Sequence, residues 1–118
     1  MTYEIYLPQT FQRSVKLLKK KFPHIKDDLS RLFHNLQEDP QIGDPISGWK
    51  RKIWKIRAAS RDLRRGKSGA FRVIYAWTSG KRVVYPLFVY FKGERENVTK
   101  IEIDTLLKKL LSEIEEPD

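Results

Sequence analysis

Lys55, Arg57 and Arg72 are the residues of this 118-residue chain whose types and spacing best suit chemistry. Lys55 and Arg57 alternate with Trp54, Ile56 and Ala58. A β-strand sends successive side chains to opposite faces, so the apolar set can enter a core while the two cations project together. In the run Ala70–Trp77, Phe71, Val73, Tyr75 and Trp77 alternate in the same way with Arg72, Ile74 and Ala76. If the two runs pair as a hairpin, Arg72 shares a face with Lys55 and Arg57. Cations held on a rigid sheet make a phosphate site. A neighbouring positive charge lowers a lysine pKa and prepares it to accept a proton. An arginine, always charged, stabilises negative charge growing on phosphorus.

The elements that must position these residues can be read along the chain. Tyr3–Leu7 alternates as a short first strand, ended by Pro8. Phe11, Val15, Leu18 and Phe22 recur at helical spacing up to Pro23, and Ile25, Leu29, Leu32, Phe33 and Leu36 do so up to Asp39-Pro40. The short turn between them predicts an antiparallel helical hairpin whose apolar sides cover a sheet. Residues 39–48, with two prolines and two glycines, read as a loop. A strand over Lys52–Ala59, a loop over Ser60–Gly69, the strand Ala70–Trp77 and a turn at Thr78–Lys81 lead into the strand Arg82–Phe91. That last strand is apolar on both faces, as a central strand is, but Pro86 removes a ladder donor, so a bulge or an outward gap is expected there. Thr99-Lys100-Ile101-Glu102 is a capping-box pattern opening a third helix, which should end near Glu115 before a short acidic tail. The expectation is a single α+β domain over residues 1–118, with a small twisted antiparallel four-stranded sheet, an N-terminal helical hairpin and a C-terminal helix.

The net charge of +9 is unevenly distributed. Residues 50–95 hold 14 Lys/Arg against Asp62 and Glu94, a balance of +12, while the remainder holds 10 against 13, a balance of −3. Such separation is the footprint of a polyanion binder, with a solubilising face or a dock for an acidic partner as the alternative. Lys52, Arg61, Arg64, Arg65 and Lys67 are expected to steer a nucleic-acid backbone. Arg95 joins them, and Tyr90, which shares strand parity with Lys92, is expected to bring a hydroxyl to solvent or substrate. The chain has no cysteine, which excludes disulfides and thiolate metal sites and agrees with a cytoplasmic location. It has neither an apolar run that could span a bilayer nor a signal-peptide pattern, so no membrane role is expected.

Other motifs carry less. Gly66-Lys67-Ser68 is not a Walker loop, because Arg61 stands where the leading glycine is required and a strand follows. His24 and His34, the only histidines, lack metal partners at useful spacing and read as structural, so neither a metal nor a cofactor is expected. Ser and Asp are too scattered for a nucleophilic triad. Trp54 and Trp77 fall on apolar faces and belong to the core.

The element order, with W-K-I-R, G-K-S-G-A-F-R-V-I-Y (Gly66–Tyr75) and V-Y-F-K-G-E-R-E-N-V (Val89–Val98), resembles the RelE/ParE toxin superfamily over nearly the whole chain, and its RelE/HigB-type branch most. The resemblance implies a twisted antiparallel sheet with helices on one side. It also implies a type II toxin–antitoxin function: a ribosome-dependent mRNA endoribonuclease that works without metal by attack of the ribose 2′-OH, neutralised by a cognate antitoxin. Carried over by position, Lys55 is a general base or phosphate ligand, Arg57 a second cation, Arg72 the scissile-phosphate arginine and Lys92 the cation ending the last strand. Gly93 stands where some members have a transition-state-stabilising arginine, and Thr99 stands near where some have a catalytic tyrosine. Arg95 and Tyr90 are the nearest substitutes. A ParE-like gyrase inhibitor, or a toxin homologue that binds RNA without cleaving it, would share this fold.

Overall fold

The computed structural model describes residues 2–63 and 70–115, and its elements follow from the apolar periodicities. In chain order they are β1 (Glu4–Ile5), α1 (Gln9–Lys19), α2 (Ile25–Glu38), a 3₁₀ turn (Pro40–Ile42), β2 (Asp44–Pro45), β3 (Trp54–Ala59), β4 (Ala70–Thr78), β5 (Val83–Phe91) and α3 (Lys100–Ile114). They form an α+β fold around one sheet ordered β1-β5-β4-β3-β2. The sheet has five strands rather than four and is mixed: β1 runs parallel to β5, while the other pairings are antiparallel. Local alternation predicts a strand but not the direction of its non-local partner, so neither the parallel edge nor the two-residue β2 was visible in it.

β2 lies inside the segment expected to be a loop. Pro45 fits there because an edge strand can spare the donor that proline lacks. The approach to β2 depends on Gly43. A Cβ at that position would come within 2.5 Å of the Tyr75 hydroxyl and 2.7 Å of the Lys55 carbonyl oxygen. The Tyr75 hydroxyl donates to the Pro40 carbonyl (2.7 Å) and accepts from the Gly43 N–H (3.2 Å), tying the 3₁₀ turn to the sheet. Burial pushes the Tyr75 phenol up to about 12, so this contact stays intact across the physiological range.

The sheet buries both faces. On one face α1 and α2 cover Trp54, Ala58, Phe71, Val73, Tyr75, Val84 and Val89. On the other, α3 packs Ile103, Leu106 and Leu110 against Ile53, Ile74, Leu87 and Tyr90. The expectation of helices on one side is therefore corrected: α3 has a leucine and isoleucine stripe of its own and takes the opposite face. Its capping box forms as predicted, Thr99 Oγ1 accepting from Glu102 N–H at 3.2 Å and Glu102 Oε1 from Thr99 N–H at 2.9 Å. Several boundaries also shift inward. β3 begins at Trp54 because Lys50 and Arg51 take left-handed turn conformations (φ 51° and 61°), which leaves Lys52 outside the strand. α1 ends at Lys19, and Phe22 reaches the core from the turn. No helix among the described residues is long and apolar enough to cross a membrane.

Pro86 does produce the expected bulge. Ile74 pairs with Phe88 and Tyr75 with Pro86, so Leu87 is the extra residue. Beyond Val84 the outer edge of β5 loses β1 as a partner, and α1 supplies hydroxyls in its place. Thr10 Oγ1 donates to the Leu87 carbonyl (3.3 Å), and the buried Ser14 Oγ accepts from the Val89 N–H (3.1 Å) while donating to the Phe11 carbonyl (2.7 Å). These contacts close an edge that would otherwise expose ladder groups. Ser14→Ala leaves the Val89 N–H buried without a partner, and a loss of about 1–3 kcal/mol in stability is expected. Urea unfolding of the variant measures it, and an unchanged midpoint contradicts this role for Ser14.

Candidate nucleic-acid interface

Strand register brings the predicted cations onto one face. Arg57 pairs directly with Arg72, and Arg72 with Tyr90, in a single row across β3, β4 and β5. The adjoining row is Lys55, Ile74 and Phe88. On the other side of the arginines, the Lys92 N–H donates to the Ala70 carbonyl (3.3 Å), so Lys92 follows one row further along from Tyr90. Residues in a row point the same way. Ile74 and Tyr90 belong to the α3-side cluster, so Lys55, Arg57 and Arg72 lie opposite the hairpin, as strand parity predicted. α3 covers only part of this face. Arg57 and Lys92 are exposed, and Lys55 and Arg72 are half-buried.

Arg57 and Arg72 are like charges directly opposed across β3 and β4. Directly opposed residues hold their Cβ atoms about 4.5–5.5 Å apart, where like charges repel. Among the described residues no ion pair involves Lys55, Arg57, Arg72 or Lys92. Arg72 Nη1 donates to the carbonyl of Phe71 (3.3 Å), which leaves most of its donors free. Guanidinium forks on neighbouring strands carry the donors that a shared anion would accept from.

Sequence reasoning missed one residue beside this site. Asp44 on β2 is the direct cross-strand partner of Lys55. It is an acid bordering the cation row, and no local pattern marked its two-residue strand.

Other expected contacts fall out differently. Tyr90 is only 4% exposed, so its ring lies in the α3-side cluster, stacked on Phe88 with centroids 6.3 Å apart, instead of bringing a hydroxyl to solvent. The cause is the α3 stripe, which covers the end of β5. Burial raises the Tyr90 phenol pKa, while the charges of Arg72 and Arg95 pull the other way. Tyr90 thus belongs to the α3-side core at the end of the row. Arg95 is engaged: its Nη2 pairs with Glu102 Oε1, its Nε donates to the Asn97 carbonyl (2.9 Å), and its guanidinium sits 5.5 Å from the Phe88 ring centroid. The Thr99 hydroxyl is used as the α3 cap.

Arg61 is held by α2, its N–H donating to Asp28 Oδ2 (3.0 Å) and its side chain lying 3.6 Å from Asp27. Asp62 accepts from the His24 N–H (2.9 Å) and pairs with His24 Nδ1 (2.6 Å), which gives that histidine a structural role. Lys52 is exposed in the turn before β3. Arg64, Arg65 and Lys67 lie outside the described residues. Among the described residues no group of three or more His, Cys, Asp or Glu could hold a metal ion.

No protein-family model matches the chain. Solved structures define the class of fold. The chain superposes on the toxin–antitoxin complex RelBE2 of Mycobacterium tuberculosis with a TM-score of 0.57 and 20% identity, over 77% of this chain and 99% of that one. It superposes on a double-arginine variant of the E. coli toxin RelE in the free state with a TM-score of 0.55 and 19% identity, over 97% of this chain and 99% of that one. On isolated E. coli RelE the values are 0.54 and 20%, over 90% and 97%. The fold is that of RelE toxins.

The Arg95–Glu102 contact has a pH signature. Hydrogen bonding from Arg95, then from the Thr99 N–H, holds the Glu102 carboxyl below its ordinary 4.5. A depressed carboxylate pKa adds stability above the unfolded value, and that stability is lost as pH falls through the folded one. Glu102→Gln is therefore expected to be less stable than the parent above about pH 5, with the gap closing below pH 4. Urea midpoints measured across that range check this, and a gap independent of pH contradicts it.

Proposed function

We propose that this chain is the toxin component of a type II toxin–antitoxin system and a ribosome-dependent mRNA endoribonuclease. The observation that carries the reading is the direct pairing of Arg57 with Arg72, with Lys55 on the same open face. The RelE-like fold supports it, and so does the strongly basic segment 50–95. In this reading the scissile phosphate lies on Arg72 and Arg57, and Lys55 takes the proton from the ribose 2′-OH. The 2′-oxygen bonds to phosphorus, the bond to the 5′-oxygen breaks, and that oxygen takes a proton from solvent, leaving a cyclic phosphate. The arginines stabilise the extra negative charge of the transition state, and Lys92 adds charge at the next row. Lys52 and Arg61, with Arg64, Arg65 and Lys67, contribute to RNA binding. The partners are the ribosome with its mRNA and a cognate antitoxin, which would make the protein cytoplasmic. One neighbour is itself a toxin–antitoxin complex.

A second reading is an RNA-binding homologue without cleavage. It is favoured by the engagement of Arg95 with Glu102 and of the Thr99 hydroxyl with its helix, since neither then supplies the groups absent at Gly93 and Thr99. Arg72→Ala separates the two. If Arg72 holds the scissile phosphate, the variant cleaves ribosome-bound mRNA about 10²–10³-fold more slowly and still pellets with ribosomes. Arg64→Ala with Arg65→Ala is expected to weaken pelleting and flatten its salt dependence. A parent protein that pellets without cleaving supports the second reading. Parental cleavage by Arg72→Ala means the active site is elsewhere.

A further inference from the structure

The turn after β5 brings Arg95 back over the sheet. Glu94 and Arg95 both donate their N–H groups to the Phe91 carbonyl (3.0 and 3.1 Å), which reverses the chain. The Arg95 guanidinium then lies over the Phe88 ring, 5.5 Å from its centroid. Phe88 is the β5 member of the Lys55–Ile74 row, and it stacks on Tyr90, the β5 member of the arginine row. Arg72 and Arg95 are also the two charges that temper the burial-raised Tyr90 phenol, so both stand near its hydroxyl. Adjacent strands lie about 4.8 Å apart, which sets Arg95 over the strand next to Arg72 and within reach of one nucleotide.

The guanidinium is fixed in its plane. All its donors lie in that plane, and two of its edges are taken, Nε by the Asn97 carbonyl (2.9 Å) and Nη2 by Glu102 Oε1. Glu102 is itself held, since the same oxygen accepts from the Thr99 N–H (2.9 Å) in the α3 cap. Phe88 backs the group from the sheet, yet 35% of the Arg95 side chain is exposed, which leaves the side away from the ring to solvent. An arginine pinned in this way is a poor phosphate clamp, because a phosphate would compete with the Glu102 carboxylate for the same donors and be repelled by it. What it offers is a flat cationic surface of fixed orientation. Unstacked bases of single-stranded RNA stack on such surfaces.

We propose that Arg95, backed by Phe88, is a stacking platform for the nucleobase next to a phosphate held on Arg57 and Arg72. The inference rests on the reading that places RNA on the arginine row, and it adds the residue that receives a base there. Phe88 and Glu102 act through Arg95 and are positioning residues. The engagement of Arg95 with Glu102 is then the device that orients the platform.

The test uses the whole chain and a short fluorescent strand of 2′-O-methyl adenosines, which presents bases but no nucleophilic 2′-OH, beside the same strand made with abasic sugars. Anisotropy at low salt is expected to show the adenosine strand bound about tenfold more tightly than the abasic one. Arg95→Lys keeps the charge and loses the flat group. It is expected to bring that ratio close to one while binding the abasic strand as the parent does. The ratio is taken within one preparation, so a loss of folded protein scales both affinities alike and does not move it. Arg57→Ala/Arg72→Ala is expected to weaken both strands. A parent ratio near one overturns the proposal and leaves the arginine row standing, as does a parental ratio in Arg95→Lys, whatever its melting temperature. Parental binding of both strands by Arg57→Ala/Arg72→Ala instead removes the placement of RNA beneath the proposal, and the proposal with it.

Discussion

The register of β3 against β4, with Arg57 opposite Arg72, is the constraint on which the rest of the structure depends. A slip of β4 by one residue would turn its side chains to the other face, sending Arg72 into the hairpin-side core and Phe71 and Val73 out of it. Burial of Trp54, Ala58, Phe71, Val73 and Tyr75 under the hairpin makes that slip costly, so the core holds the cations in place. The bulge at Pro86 matters for the same reason. It takes up the extra residue Leu87 opposite the Ile74/Tyr75 step, which leaves the Arg57–Arg72–Tyr90 row in regular pairing beyond it. The arrangement sets two like charges directly opposite one another across β3 and β4.

The two faces of the sheet divide the work. The hairpin face is the larger core, and α1 also closes the edge of β5 through Thr10 and Ser14. The other face is shared between α3 and the cations. α3 is tied at both ends. Glu113 accepts from the Tyr6 hydroxyl (2.6 Å) and the Gln9 N–H (3.0 Å), and Glu102 pairs with Arg95. These ties hold α3 over Leu87 and Tyr90 and leave Arg57 open. The same packing buries Tyr90 at the β5 end of the arginine row.

Much of this was legible in the residues. The alternation at Lys55 and Arg57 and at Arg72 carried strand and face together, because period-two patterning reports both. The capping box at Thr99 and the bulge at Pro86 were legible because each follows from a single local rule. What escaped was non-local. The parallel pairing of β1, the two-residue β2 with Asp44 beside Lys55, and the choice of opposite faces by the hairpin and α3 depend on which surfaces meet in space. Tyr90 shows the difference most clearly. Its parity follows from the alternation in β5, but its exposure depends on α3, which no pattern in β5 describes.

In the function proposed above, the arginine row acts on mRNA during translation. The most direct measurement is inducible expression of the chain in bacteria, with mRNA 5′ ends mapped genome-wide after induction. Growth arrest with new 5′ ends inside translated regions is expected. Arrest with intact mRNA and damaged DNA would contradict it and point to a gyrase-directed inhibitor on the same fold.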